Sequence, residues 1–131
     1  MADLERTEKI TINLGPVDLG QIDLLVQEGF YSNRTDFIRT AIRNQLTTHA
    51  EVVNRTVARK TLVLGLHHYT RQDLEAVQSA GEKLQINVLG LVSIAEDVSA
   101  QLALATIDSV VVLGALRASP AVKAALAERI K

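Results

Sequence analysis

At 131 residues the chain has room for one ordinary domain or two small ones. It is 47% hydrophobic but only 3% aromatic, so its core must be built from Leu, Ile, Val and Ala. With no cysteine, disulfides, thiolate metal sites and a Cys nucleophile are excluded, and a net charge of −1 argues against a protein that coats nucleic acid indiscriminately.

Charge distribution says more than the sum. Residues 1–60 carry eight basic and eight acidic side chains. Asp3, Glu5 and Glu8 crowd the N-terminus, whereas Arg34, Arg39, Arg43, Arg55, Arg59 and Lys60 come later. Local basic clusters of this kind bind phosphates even in a nearly neutral domain.

From Lys9 the pattern alternates: Ile10, Ile12 and Leu14 point one way, and Lys9, Thr11 and Asn13 the other. Period two predicts a half-buried strand, which Gly15-Pro16 stops. Asp18 is the expected N-cap of a helix over about 19–28, with Leu19, Ile22, Leu25 and Val26 on one face. Gly29 supplies the left-handed position after it. Phe30 and Tyr31 fill the turn, and Ser32 or Asn33 caps a second helix running to about His49. The apolar face of that helix is Phe37, Ile38, Ala41 and Ile42.

One strand and two helices cannot close a core, and an isolated strand is unstable in water. Antiparallel pairing with the same strand of a second chain resolves both problems. Ile10, Ile12, Leu14, Phe37, Ile38 and Ile42 then form a shared dimer core, and Lys9, Thr11 and Asn13 from both chains line an open ribbon. Such a ribbon fits the major groove of double-stranded DNA, where its donors and acceptors reach base edges. Taken singly, each feature has a plainer reading: KITINL as an ordinary half-buried strand, and Arg34, Arg39 and Arg43 as a solvated helix face.

The run Gly29-Phe30-Tyr31-Ser32-Asn33-Arg34-Thr35-Asp36-Phe37-Ile38-Arg39, behind that strand, resembles the ribbon-helix-helix (Arc/MetJ/CopG-like) DNA-binding family. The resemblance covers about residues 8–48. It implies that Lys9, Thr11 and Asn13 read bases and that Ser32, Asn33 and Arg34 anchor phosphate. Independently of it, free amides at a helix N-terminus bind an anion with help from the helix dipole. The strand offers one cation per chain, so arginine–guanine contacts are absent from it.

After a polar stretch over 51–60, composition shifts towards Val, Leu, Ala and Gly. Three β-branched-rich runs, TLVLGL, INVLGL and VVVLGA, place Gly65, Gly90 and Gly114 at intervals of 25 and 24 residues. A helical pattern follows each. The first starts at a Thr70/Asp73 capping box and carries Leu74 and Val77, with Leu84 at its end. The second starts at Ser99, and the third at Ser119 with Pro120 in the first helical position and Val122, Ala125, Leu126 and Ile130 inward. Strand–helix units at this spacing predict parallel strands with right-handed crossovers.

The expected fold is therefore α/β overall. A ribbon-helix-helix domain over 1–50, an intertwined dimer with a two-stranded antiparallel ribbon, is followed by a linker over 51–60. Residues 61–131 form a small domain of three βα repeats that serves oligomerisation or sensing. Its outer strands are exposed edges, which self-association covers.

No catalytic or cofactor signature emerges. His67, His68 and His49 do not make a chelating set, because adjacent strand residues point to opposite sides. Glu96, Asp97 and Asp108 lack a recognisable spacing, and Ser99 and Ser119 read as helix caps rather than nucleophiles. We expect no enzyme, no metal, no cofactor and no membrane partner, in a cytoplasmic protein. The function expected is a sequence-specific transcriptional repressor or autoregulator, a homodimer that forms tetramers or larger assemblies through residues 61–131. Alternatives are a plasmid-maintenance or nucleoid-organising protein, an antitoxin, and a sensor whose C-terminal domain binds a small molecule.

Overall fold

The computed structural model of the chain describes residues 7–131. Their elements are helices α1 (Pro16–Gln27), α2 (Arg34–Thr48) and α3 (Ala50–Arg59), then β1 (Val63–Tyr69), α4 (Arg71–Ser79), β2 (Leu84–Ile94), α5 (Ala100–Thr106), β3 (Ile107–Arg117) and α6 (Pro120–Ala125). Two compact units result: Lys9–Thr56, and Val57–Lys131 with the described part of Met1–Glu8.

In the first unit, residues 9–15 belong to neither helix nor strand. The strand expected at Lys9–Leu14 is thus not formed within one chain, because a strand exists only when its amides and carbonyls meet a ladder. Helix α1 also starts earlier than expected. Gly15 is its N-cap, without a side-chain bond, and Pro16 occupies the first turn with Asp18. Proline's fixed φ and missing N–H suit that position, so it outranks the Asp18 cap. At the other end, the Gly29 amide donates to the Val26 carbonyl and the Phe30 amide to the Leu25 carbonyl. This pair of bonds requires the left-handed φ of +85° that Gly29 adopts. The polar stretch expected as a linker is largely the helix α3.

The second unit is a three-stranded parallel sheet in the order β1-β2-β3. Its helices begin at side-chain caps: Thr70 with Asp73 in a reciprocal capping box, Ser99 accepting from the Leu102 amide, and Ser119 from the Val122 amide. Leu84 belongs to β2 rather than to the end of α4. The core sits between the helices and one sheet face. It is built from Leu74, Ile86, Val88, Val92, Ile94, Val98, Leu102, Ala103, Ile107, Val110, Val122 and Leu126. The fully buried Thr106 donates its hydroxyl proton to the Leu102 carbonyl at 2.7 Å, so the core contains no unsatisfied side chain among the described residues.

The free edge of β3 is partly covered by the chain's end. The Val110 amide donates to the Arg129 carbonyl and the Lys131 amide to the Val110 carbonyl, while Ile130 bridges Val110 in parallel. Arg129 fixes this turn by donating to the carbonyls of Leu104 and Ile107, at 2.7 Å each. At the far end of the same strand, Arg117 donates to the Glu8 carboxylate at 3.0 and 2.8 Å and to the Thr7 carbonyl at 2.7 Å.

Gly65, Gly90 and Gly114 lie side by side in the sheet register, with φ of +131°, +142° and +125°. A Cβ on Gly90 would strike the Gly65 carbonyl oxygen, and one on Gly114 the Gly90 carbonyl oxygen. Gly65 stands on the edge strand, where a Cβ would meet nothing within 4 Å. Each strand thus leans its carbonyl into space that the next strand must leave empty. The three glycines are consequently unequal. Gly65→Ala carries only the backbone strain, about 1–3 kcal/mol. Gly90→Ala and Gly114→Ala add a clash with backbone and are expected to exceed about 4 kcal/mol. Urea unfolding of the three variants measures the order, and equal losses at all three positions would contradict it.

Candidate nucleic-acid interface

The residues singled out for binding all lie in the unit Lys9–Thr56. Lys9, Thr11 and Asn13 are exposed in the segment ahead of α1. Their alternates are exposed too: Ile10 is 76%, Ile12 59% and Leu14 41% accessible. Along α1 and α2, Leu19, Leu25, Val26, Phe37 and Ile38 are half-buried and Ile42 is exposed, leaving Ile22 as the only buried residue of the unit. One chain therefore supplies the apolar groups of a core without enclosing them.

The turn between the helices is built by local chemistry. Asn33 caps α2, its side-chain oxygen accepting from the Asp36 amide at 2.8 Å. The Asp36 carboxylate accepts in turn from the Ser32 amide at 2.9 Å. The sequence contained a signal for this pair, since Asn33-Arg34-Thr35-Asp36 has capping-box spacing. The rings of Tyr31 and Phe37 meet edge to face at 5.0 Å and brace the turn over the first helical residues. The amides of Arg34 and Thr35, in the first turn of α2, have no acceptor within the helix and remain the natural donors for an anion.

Arg34 has a second engagement that its sequence position does not reveal. Its Nε and Nη2 donate to the two carboxylate oxygens of Asp23 on α1, at 2.7 and 2.8 Å. This bidentate pair ties α1 to α2. The hydrogen bond from Arg34 holds the Asp23 carboxyl below the usual aspartate range, and Asp23 in turn raises Arg34. Nothing local in the sequence links residues 11 apart across a turn, so only the crossing of the helices exposes the pairing. Arg39 and Arg43 continue the basic surface of α2 and are exposed.

In the other unit, His67 and His68 lie at the carboxyl end of β1 beside an open cleft of about 770 Å³, which Glu96, Arg117 and Lys123 also line. Among the described residues no three His, Asp or Glu side chains converge as metal ligands, and no helix is long and apolar enough to cross a membrane.

With this geometry in place, comparison with known proteins gives a decisive match. The model of the Ribbon-Helix-Helix transcriptional regulator family fits residues 5–123. The chain belongs to this family. The match extends well past the 8–48 segment that carries the sequence resemblance and takes in most of the parallel-sheet unit. The family is described as one of transcriptional regulators. The chain is also similar to an uncharacterised protein of Methanocaldococcus jannaschii, 42% identical over 40 residues. That alignment covers 30% of this chain and 41% of the relative, so the chain spans less than half of the relative's length. No solved structure matches.

The Asp23–Arg34 pair has a pH signature. Because the folded pKa of Asp23 is depressed, its contribution is complete above the ordinary aspartate value of about 3.9. It is lost as pH falls through the lowered folded value. Wild-type protein should therefore lose an increment of stability on acidification that Asp23→Asn does not show. Urea titrations of both proteins across that range measure it, and parallel curves would contradict it.

Proposed function

We propose that the chain acts as a homodimeric, sequence-specific repressor or autoregulator. Its Lys9–Leu14 segments pair antiparallel about a two-fold axis and enter the major groove as a ribbon. Ile10, Ile12 and Leu14 then turn onto the half-covered faces of four helices, where Phe37, Ile38 and Ile42 complete the shared core. The observation that carries this reading is the near-absence of buried residues in Lys9–Thr56, although the unit has ordered helices, a completed turn and well-spaced apolar faces.

On this reading Lys9, Thr11 and Asn13 face the bases. Lysine and asparagine are suited to major-groove acceptors and to adenine, and the threonine methyl to thymine. The turn Ser32-Asn33-Arg34 anchors phosphate, chiefly through the first-turn amides of α2, while Arg34 divides its guanidinium between Asp23 and the DNA backbone. A ribbon with one cation per chain gives modest affinity from a single dimer. Higher-order assembly through residues 61–131 offsets this by joining dimers on adjacent sites, which raises avidity without new DNA contacts.

Two kinds of substitution should separate reading from anchoring. Asn13→Ala or Thr11→Ala is expected to cost about 1–3 kcal/mol on preferred sites and to change the ranking among sequences. Arg34→Ala should weaken binding to all sequences alike and reduce the salt dependence by about one phosphate contact. The check is selection of bound fragments from random DNA, followed by titrations at several salt concentrations. Uniform, sequence-independent losses from all three substitutions would show that the segment does not read bases.

A further inference from the structure

The chain passes out of the sheet unit after Glu8 and returns to it at Val57. At the first crossing Arg117 holds it. The Arg117 Nε and Nη2 donate to one Glu8 carboxylate oxygen, and Nη2 donates also to the Thr7 carbonyl. Arg117 thus commits one edge of its guanidinium to the residues just ahead of Lys9. The two protons on its Nη1 have no acceptor among the described residues.

Arg117 is also part of a wall. With Ser93, Glu96 and Lys123 it lines the open cleft of about 770 Å³ at the carboxyl ends of the strands. Ser93 and Arg117 are register partners on β2 and β3, and Lys123 stands on α6. Two cationic side chains, Arg117 and Lys123, therefore face one carboxylate, Glu96, among the described lining residues, while Ala95 and Ala118 add apolar wall. Lys123 has no ion pair among the described residues.

In open α/β sheets, ligands bind outside the carboxyl ends of the strands. A cleft of this volume admits a small organic molecule. Unpartnered guanidinium N–H groups beside a lysine select an anion. The class of anion is indicated by the molecule itself, because the group Arg117 already holds is a carboxylate. We propose that the cleft binds a small aliphatic carboxylate on Arg117 and Lys123, in antagonism with Glu8. Two carboxylates then draw on one guanidinium, and their like charges oppose each other. Each weakens the other by the same factor. Occupancy of the cleft consequently loosens the chain at Thr7–Glu8, where it leaves the sheet unit for the segment that begins at Lys9.

Succinate serves as the probe, added to the full-length protein at constant ionic strength. Binding is followed by NMR at the Arg117 Nε–H resonance, assigned by its loss in Arg117→Lys. Succinate should shift this resonance and speed its exchange with water, because Nε–H is a proton that Glu8 protects. Two charge removals should then act in opposite directions. Lys123→Gln should weaken succinate binding at least threefold. Glu8→Gln should tighten it about two- to fivefold, the range that an exposed ion pair spans. Neutral succinamide should leave the resonance where it is. An unmoved resonance, equal binding of succinamide, or unchanged affinity in Lys123→Gln would overturn the site. Unchanged or weaker binding by Glu8→Gln would overturn the antagonism, and tighter binding of inorganic phosphate than of succinate would overturn the carboxylate class. Neither DNA nor a ribbon dimer enters the test, so a negative result leaves the regulatory reading intact.

Discussion

A β-strand is incomplete by itself: its edges need hydrogen-bonding partners and its apolar side needs a layer to cover it. Both units of this protein are governed by that requirement. In Lys9–Thr56 the six residues ahead of α1 have the alternation of a strand but no ladder within the chain. In the second unit the three strands are laddered together, yet Leu64, Leu66 and Leu113 stay exposed. The helices, caps and turns are finished locally. What is left over in each half is exposed apolar surface.

The parts that are complete show how tightly local chemistry fixes the frame. Around α2, Asn33 and Asp36 exchange hydrogen bonds with the backbone, Gly29 releases the preceding helix, and Tyr31 meets Phe37. The entry to the helix is thereby fixed by bonds within its own turn. The Asp23–Arg34 pair adds a second constraint by fixing α1 against α2. It lies on an exposed surface, where its energetic value is small. Its larger effect is on the orientation of Arg34. In the sheet, the glycine row has the same character of a shared constraint: the carbonyl of each strand occupies the space that a side chain on the next would need.

Features decided by neighbouring residues were legible in the sequence. The Thr70–Asp73 box, the Ser99 and Ser119 caps, Gly29 and the Asn33 entry to α2 all follow from chemistry within four residues. Three β-branched runs with evenly spaced glycines were enough to imply three parallel strands. Their ends were not legible, because β2 and β3 each extend over 11 residues around a short apolar centre. Asp18 was misplaced because proline's backbone geometry prevailed over a good capping side chain. The link of Arg34 to Asp23, and that of Arg117 to Glu8 some 109 residues earlier, depend on how elements cross and have no local signature. The exposure of Leu64, Leu66 and Leu113 was hidden for a different reason. Strands of a parallel sheet are apolar on both sides, so their sequence does not distinguish the covered face from the bare one.

The central claim is that Lys9–Leu14 becomes a strand only when two chains meet. Amide hydrogen exchange of this segment, followed by mass spectrometry across a dilution series, addresses it directly. Exchange at Thr11, Ile12 and Asn13 should be slow at high protein concentration and accelerate on dilution, while the α4 amides stay protected throughout. Rapid exchange of the segment at every concentration, or protection that dilution does not change, would contradict the account.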